Sequence, residues 1–119
     1  MNKIGVHALV WASGWNKEQS RHAIAGAAAA GFDFMEIPAR RPHLIDVDLT
    51  RRLLEEHGMG VSNGLALGFD TDITSPDPDV AARGEALLGE ALAVARDLGS
   101  RYLVGVIHCL GREGRFVGP

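Results

Sequence analysis

Apolar and polar positions follow two alternating patterns along the chain. Short apolar runs bounded by glycine or polar residues are typical of buried strands, whereas apolar residues three and four positions apart are typical of helices. The predicted strands are residues 4–10, 32–37, 61–67 and 101–107. The predicted helices between them are residues 17–30, 49–57 and 80–98. Asn16 for the first helix and Asp46 or Asp48 for the second are the predicted N-caps.

Each predicted helix ends at a glycine, and a strand follows within a few residues of Gly31, Gly58 and Gly99. This order indicates consecutive βα units, so the sheet is predicted to be parallel and its fourth strand to be buried on both faces. No G-x-G-x-x-G motif follows the first strand, so a dinucleotide-binding sheet has no support. A closed barrel takes about 200 residues or more. The predicted fold is therefore α/β, with residues 1–119 as a single partial domain that forms the N-terminal half of a (β/α)8 TIM barrel.

A half-barrel has two open sheet edges and an apolar inner face that is partly in water. We expect the chain to be part of a longer protein whose further strands cover these surfaces. Self-assembly of half-barrels into a homo-oligomer is the alternative. A third hypothesis is a non-catalytic α/β module that associates with a partner protein through its strand edges.

Composition narrows the class of partner. The chain has a formal net charge of −3 and is 46% apolar, so it lacks the basic surface that binding to nucleic acid or to an anionic membrane requires. A small molecule is the expected partner. The single cysteine, Cys109, cannot form an internal disulfide, and the sequence has neither a signal-peptide pattern nor a run of about 20 apolar residues. The expected location is the cytoplasm.

Four short motifs, in this order, resemble the metal-dependent ketose 3-epimerases, the D-tagatose 3-epimerase and L-ribulose 3-epimerase group of xylose isomerase-like barrels. The first is the opening strand and its tryptophan-bearing loop, and the second is similar to the family's Gly-Phe-Asp-x-x-Glu stretch. The third resembles its Ser-Pro-Asp segment ahead of a helix, and the fourth is an Asp-Leu-Gly turn that leads into a strand. The motifs occupy residues 2–15, 31–37, 72–77 and 97–106.

The resemblance implies a barrel that epimerises free keto-sugars, of the D-tagatose, D-fructose, D-psicose or L-ribulose type, at carbon 3 through an enediolate. It also implies a divalent metal, manganese or cobalt, and two glutamates as acid and base. In the family these groups lie on later strands, so no metal ligand and no catalytic residue is assigned within this chain, and the 119 residues alone are expected to be inactive. Another xylose isomerase-like enzyme, of the hydroxypyruvate isomerase or inosose dehydratase type, is the alternative.

What the resemblance does carry over is the wall of the sugar site at the C-terminal ends of the early strands, the face where barrel enzymes build their sites. A histidine at a strand end is as often a structural hydrogen-bonding residue as a ligand contact. A tryptophan can stack on a sugar or pack in the core. By position, the residues expected to face the sugar are His7, Trp15, Gly64 and Val106.

Glu36 is the fifth expected substrate-binding residue. It lies near the end of the second predicted strand, inside an apolar run, where a carboxylate is costly to bury unless it is paired. That position indicates a role at the site. A structural salt bridge to Arg40 or Arg41 is the alternative.

The remaining polar and aromatic residues have simpler explanations. Trp11 is predicted to pack in the core. Asp70 and Asp72 lack the glycine and glutamate that complete a calcium-binding loop, so turn and capping hydrogen bonds are expected of them. A structural role is expected of the adjacent His108 and Cys109. The histidines predicted to be solvated at the surface are His22, His43 and His57.

Overall fold

The structure is a computed structural model that describes residues 1–107. Its strands are β1 (Gly5–His7), β2 (Phe34–Pro38), β3 (Gly60–Ala66) and β4 (Leu103–Val106). Its helices are α1 (Lys17–Ala29), α2 (Val47–Glu56) and α3 (Pro78–Leu98), with short 3-10 helices at Ala8–Val10 and Pro42–Leu44. None of these helices is long and apolar enough to cross a bilayer.

The four strands form one sheet in the order β1-β2-β3-β4, and every neighbouring pair is parallel. The predicted α/β fold with parallel βα units is confirmed. In the register, Val6 lies beside Met35, Met35 beside Val61, and Asn63 beside Leu103. Because side chains alternate between faces, the register fixes which residues share each face of the sheet.

The outer face of the sheet is covered by the helices and holds the core. Met35 and Ile37 of β2 are fully buried here, together with Ile24 of α1. Burying one such side chain stabilises the fold by about 1.5–3 kcal/mol. A second apolar cluster lies between β3 and α3, where Leu65 packs near Ala91. The outer face is therefore the source of most of the apolar stabilisation among the described residues.

Helix starts follow the predicted caps. The Asn16 side chain accepts from the Gln19 backbone N–H at 2.8 Å, and the Gln19 side chain accepts from the Asn16 N–H at 3.0 Å, which makes a full capping box. Of the two candidates for α2, Asp46 is the cap and accepts from the Leu49 N–H, whereas Asp48 lies in the first turn. The negative charge of Asp48 interacts favourably with the positive N-terminal end of the helix dipole.

The three predicted helix-terminating glycines adopt the left-handed conformation. Their φ values are +87° at Gly31, +63° at Gly58 and +82° at Gly99. Only glycine takes this conformation without a steric penalty, and it turns the chain from a helix toward the next strand. The prediction that a helix ends at each of these three glycines is confirmed.

β1 is shorter than predicted. The sequence indicates a strand over residues 4–10, but the strand ends at His7 and residues 8–10 form a 3-10 helix. The His7 Nδ1 accepts from the Leu9 N–H at 3.0 Å, and the Trp11 N–H donates to the Ala8 carbonyl at 3.0 Å. These local bonds replace sheet bonds, which an apolar pattern alone does not reveal.

β4 is the second departure. It was predicted to be buried on both faces, yet Val104 is 47% exposed and Val106 46% exposed. The prediction is wrong for the described residues because β4 is an edge strand and residues 1–107 cover only one of its faces. Leu103, on the helix side, packs against the second core cluster.

The loop between β3 and α3 is fastened to the helix that follows it. The Arg83 Nε donates to the Asp70 carbonyl at 3.0 Å. Gly84 lies so close to the Thr71 carbonyl that a Cβ at this position would overlap it. Within the loop, the Gly68 N–H donates to the Thr71 Oγ1 at 2.8 Å. The start of the loop is thus held against α3.

Candidate functional site

The face of the sheet opposite the helices gathers most of the predicted site residues. Residues that alternate with the buried outer-face positions point to this side, which we call the inner face. Its members are Gly5, His7, Phe34, Glu36, Pro38, Gly60, Ser62, Gly64, Ala66, Val104 and Val106. Four of the five residues expected to contact a sugar therefore share one surface, and Trp15 is the exception.

Three polar residues line up across the inner face. His7 is the register partner of Glu36, and Glu36 is the register partner of Ser62. Neighbouring strands are about 4.8 Å apart, so one small polar ligand can reach all three side chains. We call these residues the polar row. Sequence reasoning missed Ser62, because strand register is set by tertiary pairing and not by the local pattern.

Glu36 lies across β3, directly over Gly64. A Cβ built at Gly64 would overlap the Glu36 Oε1 and would lie 3.2 Å from its Cδ. Within residues 1–107 the carboxylate accepts no hydrogen bond, and the one ion pair joins Arg96 to Asp97 on the surface. The alternative of a salt bridge from Glu36 to Arg40 or Arg41 is therefore wrong. Glu36 presents a half-buried carboxylate without a protein partner in this part of the chain.

His7 has a structural bond and a free donor. Its Nδ1 accepts from the Leu9 N–H, which caps the 3-10 helix after β1. In the neutral ring this assigns the proton to Nε2. His7 is thus held in place by one nitrogen while the other is left to donate, so the two roles considered for it are compatible.

Trp15 follows β1 but does not lie on the inner face. Its indole Nε1 donates to the Thr50 Oγ1 of α2 at 3.1 Å, and its half-buried ring packs against the core cluster of α1, α2 and β2. This contact gives Trp15 a structural role in joining the first loop to α2. Contact between Trp15 and a sugar stays a prediction.

Phe34 closes the N-terminal end of the inner face. A Cβ at Gly5 would overlap the Phe34 ring, and a Cβ at Gly60 would lie 3.1 Å from the Phe34 Cβ. Two glycines thus lie beside the Phe34 side chain, Gly5 against its ring and Gly60 against its Cβ. The sequence signal was present, since β1 and β3 each begin at a glycine, but its meaning depends on the register.

Val106 and Val104 form the apolar side of the inner face. Val104 is paired with Gly64, and Val106 with Ala66, so both valines lie beyond the position where the Glu36 side chain rests. A carboxylate beside exposed aliphatic side chains offers hydrogen-bond acceptors on one side and a surface for C–H groups on the other. Sugars carry both kinds of group.

The residues predicted to have packing, turn or surface roles adopt those roles where the structure describes them. Trp11 packs edge-on against Phe32, with ring centroids 6.2 Å apart. The Asp72 carboxylate accepts from the Thr74 N–H at 2.8 Å, as expected of a turn residue. His108 and Cys109 lie outside the described residues. The histidines predicted to be solvated are exposed: His22, His43 and His57.

No group of three or more His, Cys, Asp or Glu side chains that could hold a metal ion occurs within residues 1–107. In the polar row, Glu36 and His7 offer two ligand types but Ser62 offers neither a carboxylate nor an imidazole. These residues by themselves do not fit a divalent metal, and we derive no chemical step through one. They are suited to accepting and donating hydrogen bonds.

Comparisons with known proteins identify relatives. No family model matches the chain. It is 45% identical over 117 residues to an L-ribulose 3-epimerase of Methylomonas sp. (strain DH-1), covering 98% of this chain and 40% of that protein. It is 40% identical over 106 residues to a ketose 3-epimerase of Arthrobacter globiformis, covering 89% of this chain and 37% of the relative.

Solved structures show the same similarity in three dimensions. The chain superposes with a TM-score of 0.89, at 44% identity, on a D-allulose 3-epimerase from Methylomonas sp. in complex with D-allulose, covering 98% of this chain and 40% of that one. The chain spans about two fifths of the length of the relatives it matches. These neighbours are TIM-barrel epimerases, so the prediction of the N-terminal half of a TIM barrel is confirmed.

Proposed function

We propose that this chain, whose sequence and fold match the N-terminal part of the ketose 3-epimerases, supplies the first four strands of an enzyme that epimerises free keto-sugars at carbon 3. The proposal is supported by relatives named L-ribulose 3-epimerase and ketose 3-epimerase, and by the superposition on a D-allulose 3-epimerase. In this proposal the complete barrel is the catalyst. Residues 1–119 alone are inactive.

The observation that carries the proposal is the arrangement of the inner face. The register aligns His7, Glu36 and Ser62 in one row, and the valines of β4 lie to one side of it. A carboxylate can accept hydrogen bonds from two sugar hydroxyls, and such charge-assisted bonds are stronger than neutral ones. The Nε2–H of His7 can donate to a third oxygen. The sugar's C–H groups then lie against the apolar side.

In this arrangement the described residues bind and orient the sugar, whereas the proton transfers depend on other groups. The family resemblance implies a divalent metal and two glutamates, and we propose that these come from strands outside residues 1–107. The part played by His7, Glu36 and Ser62 is to hold the hydroxyl groups so that carbon 3 faces those strands.

A chimeric enzyme tests this proposal. Residues 1–107 replace the matching strands and helices of the Methylomonas L-ribulose 3-epimerase, and that enzyme supplies the rest of the barrel. The assay follows conversion of L-ribulose and of D-allulose by chromatography, with manganese present, and the unaltered Methylomonas enzyme is the positive control. The 119-residue chain is assayed in parallel.

We expect conversion by the chimera and none by the 119-residue chain. A chimera that is folded, as judged by circular dichroism and a cooperative thermal transition, yet inactive on both sugars would contradict the proposal that these strands belong to a ketose 3-epimerase. Conversion by the 119-residue chain would contradict the assignment of the proton transfers to other strands.

A further inference from the structure

The contact between Glu36 and Gly64 has a consequence for the size of the sugar. We propose that Gly64 determines substrate size, by leaving space in which the Glu36 carboxylate lies flat against β3 and so keeps the inner face deep enough for a six-carbon keto-sugar. This inference rests on the proposed function, and it names which sugars within that class the site admits.

Backbone conformation does not explain a glycine at position 64. The glycines with positive φ among residues 1–107 are Gly31, Gly58, Gly99 and Gly105, and Gly64 is not among them. Any residue could adopt its extended conformation in β3. A side chain at position 64 would collide with Glu36 as it is placed in this structure. Its Cβ would overlap the Glu36 Oε1 and would lie 3.2 Å from the Cδ and 3.4 Å from the Cγ.

The backbones on which the two residues stand are tied together. The Ala39 N–H donates to the Gly64 carbonyl at 2.7 Å. On the outer face, the fully buried Asn63 side chain donates from its Nδ2 to the Ile37 carbonyl at 3.1 Å. These bonds join β2 to β3 next to the Glu36–Gly64 contact. A Cβ at position 64 therefore cannot be relieved by separating β2 from β3, and the Glu36 side chain has to move.

The direction of that movement is set by the sheet. The carboxylate rests on β3, so the free space is on the side of the barrel interior. A Cβ added at position 64 projects about 1.5 Å from its Cα. It therefore shifts the Glu36 carboxylate toward the barrel interior by a similar amount. A ketohexose, with one carbon and one hydroxyl more than a ketopentose, then loses more than the smaller sugar does.

The test uses Gly64→Ala in the full-length protein that contains this chain and in the Methylomonas chimera, with kcat/KM measured for D-allulose and L-ribulose. We expect the ratio of the two values to fall about 10-fold against D-allulose, the lower end of the discrimination that one carbon atom gives in a shaped site. Gly89→Ala is the matched control, because a Cβ there has nothing within 4 Å. Its ratio should stay unchanged.

A double variant separates steric crowding by Glu36 from any other effect of the methyl group. In the Glu36→Ala background there is no carboxylate to displace, so adding Gly64→Ala should leave the sugar ratio of Glu36→Ala unchanged. An equal drop for both sugars in Gly64→Ala, or the same change of ratio with and without Glu36, would overturn the inference. Circular dichroism and thermal unfolding identify variants that are not folded.

Binding measurements keep this inference distinct from the proposed function. Calorimetric titration with D-allulose and L-ribulose reports affinity whether or not turnover occurs. An active wild type whose Gly64→Ala variant keeps its sugar ratio overturns this inference alone. A wild type that is inactive but loses D-allulose affinity selectively on Gly64→Ala contradicts the proposed function alone, and a wild type that neither converts nor binds either sugar contradicts both.

Discussion

The two faces of the same four strands differ in what their residues contribute. On the outer face, Met35 and Ile37 are fully buried beneath the helices. On the inner face, Glu36, which lies between them in sequence, is half-buried and has no hydrogen-bond or ion-pair partner within residues 1–107. Residues one position apart thus serve stability on one side and, in the proposed function, recognition on the other. Substitutions at neighbouring positions should accordingly separate folding from sugar binding.

The largest effect is expected on the outer face. Ile37→Ala in the full-length protein should lower the free energy of unfolding by about 2–5 kcal/mol, because it removes buried methyl groups and leaves a cavity. The measurement is the shift of the denaturant midpoint. Leu92→Ala, at an exposed position of α3, is the control and should change stability by no more than about 0.5 kcal/mol. A small loss at Ile37 would mean that the outer face is not the main source of stability.

A middle-sized effect is expected where the first loop joins α2. Trp15→Phe removes the hydrogen bond to Thr50 and should cost about 0.5–1.5 kcal/mol. Thr50→Val removes the same bond without touching the ring, so it is the matched control. If Trp15 also contacts the sugar, KM rises in Trp15→Phe and not in Thr50→Val. Equal KM values in the two variants would limit Trp15 to its structural contact.

The smallest effect on stability is expected on the inner face. Glu36→Gln should change the free energy of unfolding by no more than about 0.5 kcal/mol, since the carboxylate has no partner to lose among the described residues. It should raise KM for the keto-sugar, because an amide accepts hydroxyl hydrogen bonds less strongly than a carboxylate. Glu90→Gln on the exposed surface of α3 is the control. A clear loss of stability at Glu36 with KM unchanged would assign this residue to the fold.

The order of elements could be predicted from the sequence because it depends on local signals. The glycines at positions 31, 58 and 99 end helices through a backbone conformation that no other residue adopts so easily. Asn16 caps α1 through bonds within one helical turn. In both cases the residues that decide the structure are close in sequence, so their effect can be read from the chain.

The composition of the site was predictable only in part. Family resemblance and strand position predicted His7 and Glu36 for the candidate site, but the row they form with Ser62 depends on pairing between residues about 30 positions apart. The end of β1 depends on local bonds, among them the one that the His7 Nδ1 accepts from the Leu9 N–H. For Trp15, the ligand contact that its loop position indicates stays a prediction, and its hydrogen bond to Thr50 on α2, 35 residues away, could not be predicted from the local sequence.

The contacts between the β3–α3 loop and α3 bear on how this loop can move. Arg83 and Gly84 of α3 contact residues 70 and 71, so movement of this segment by itself would break both contacts. Movement that keeps both contacts has to carry the 21-residue helix with it. We therefore expect the β3–α3 loop and α3 to move together as one unit.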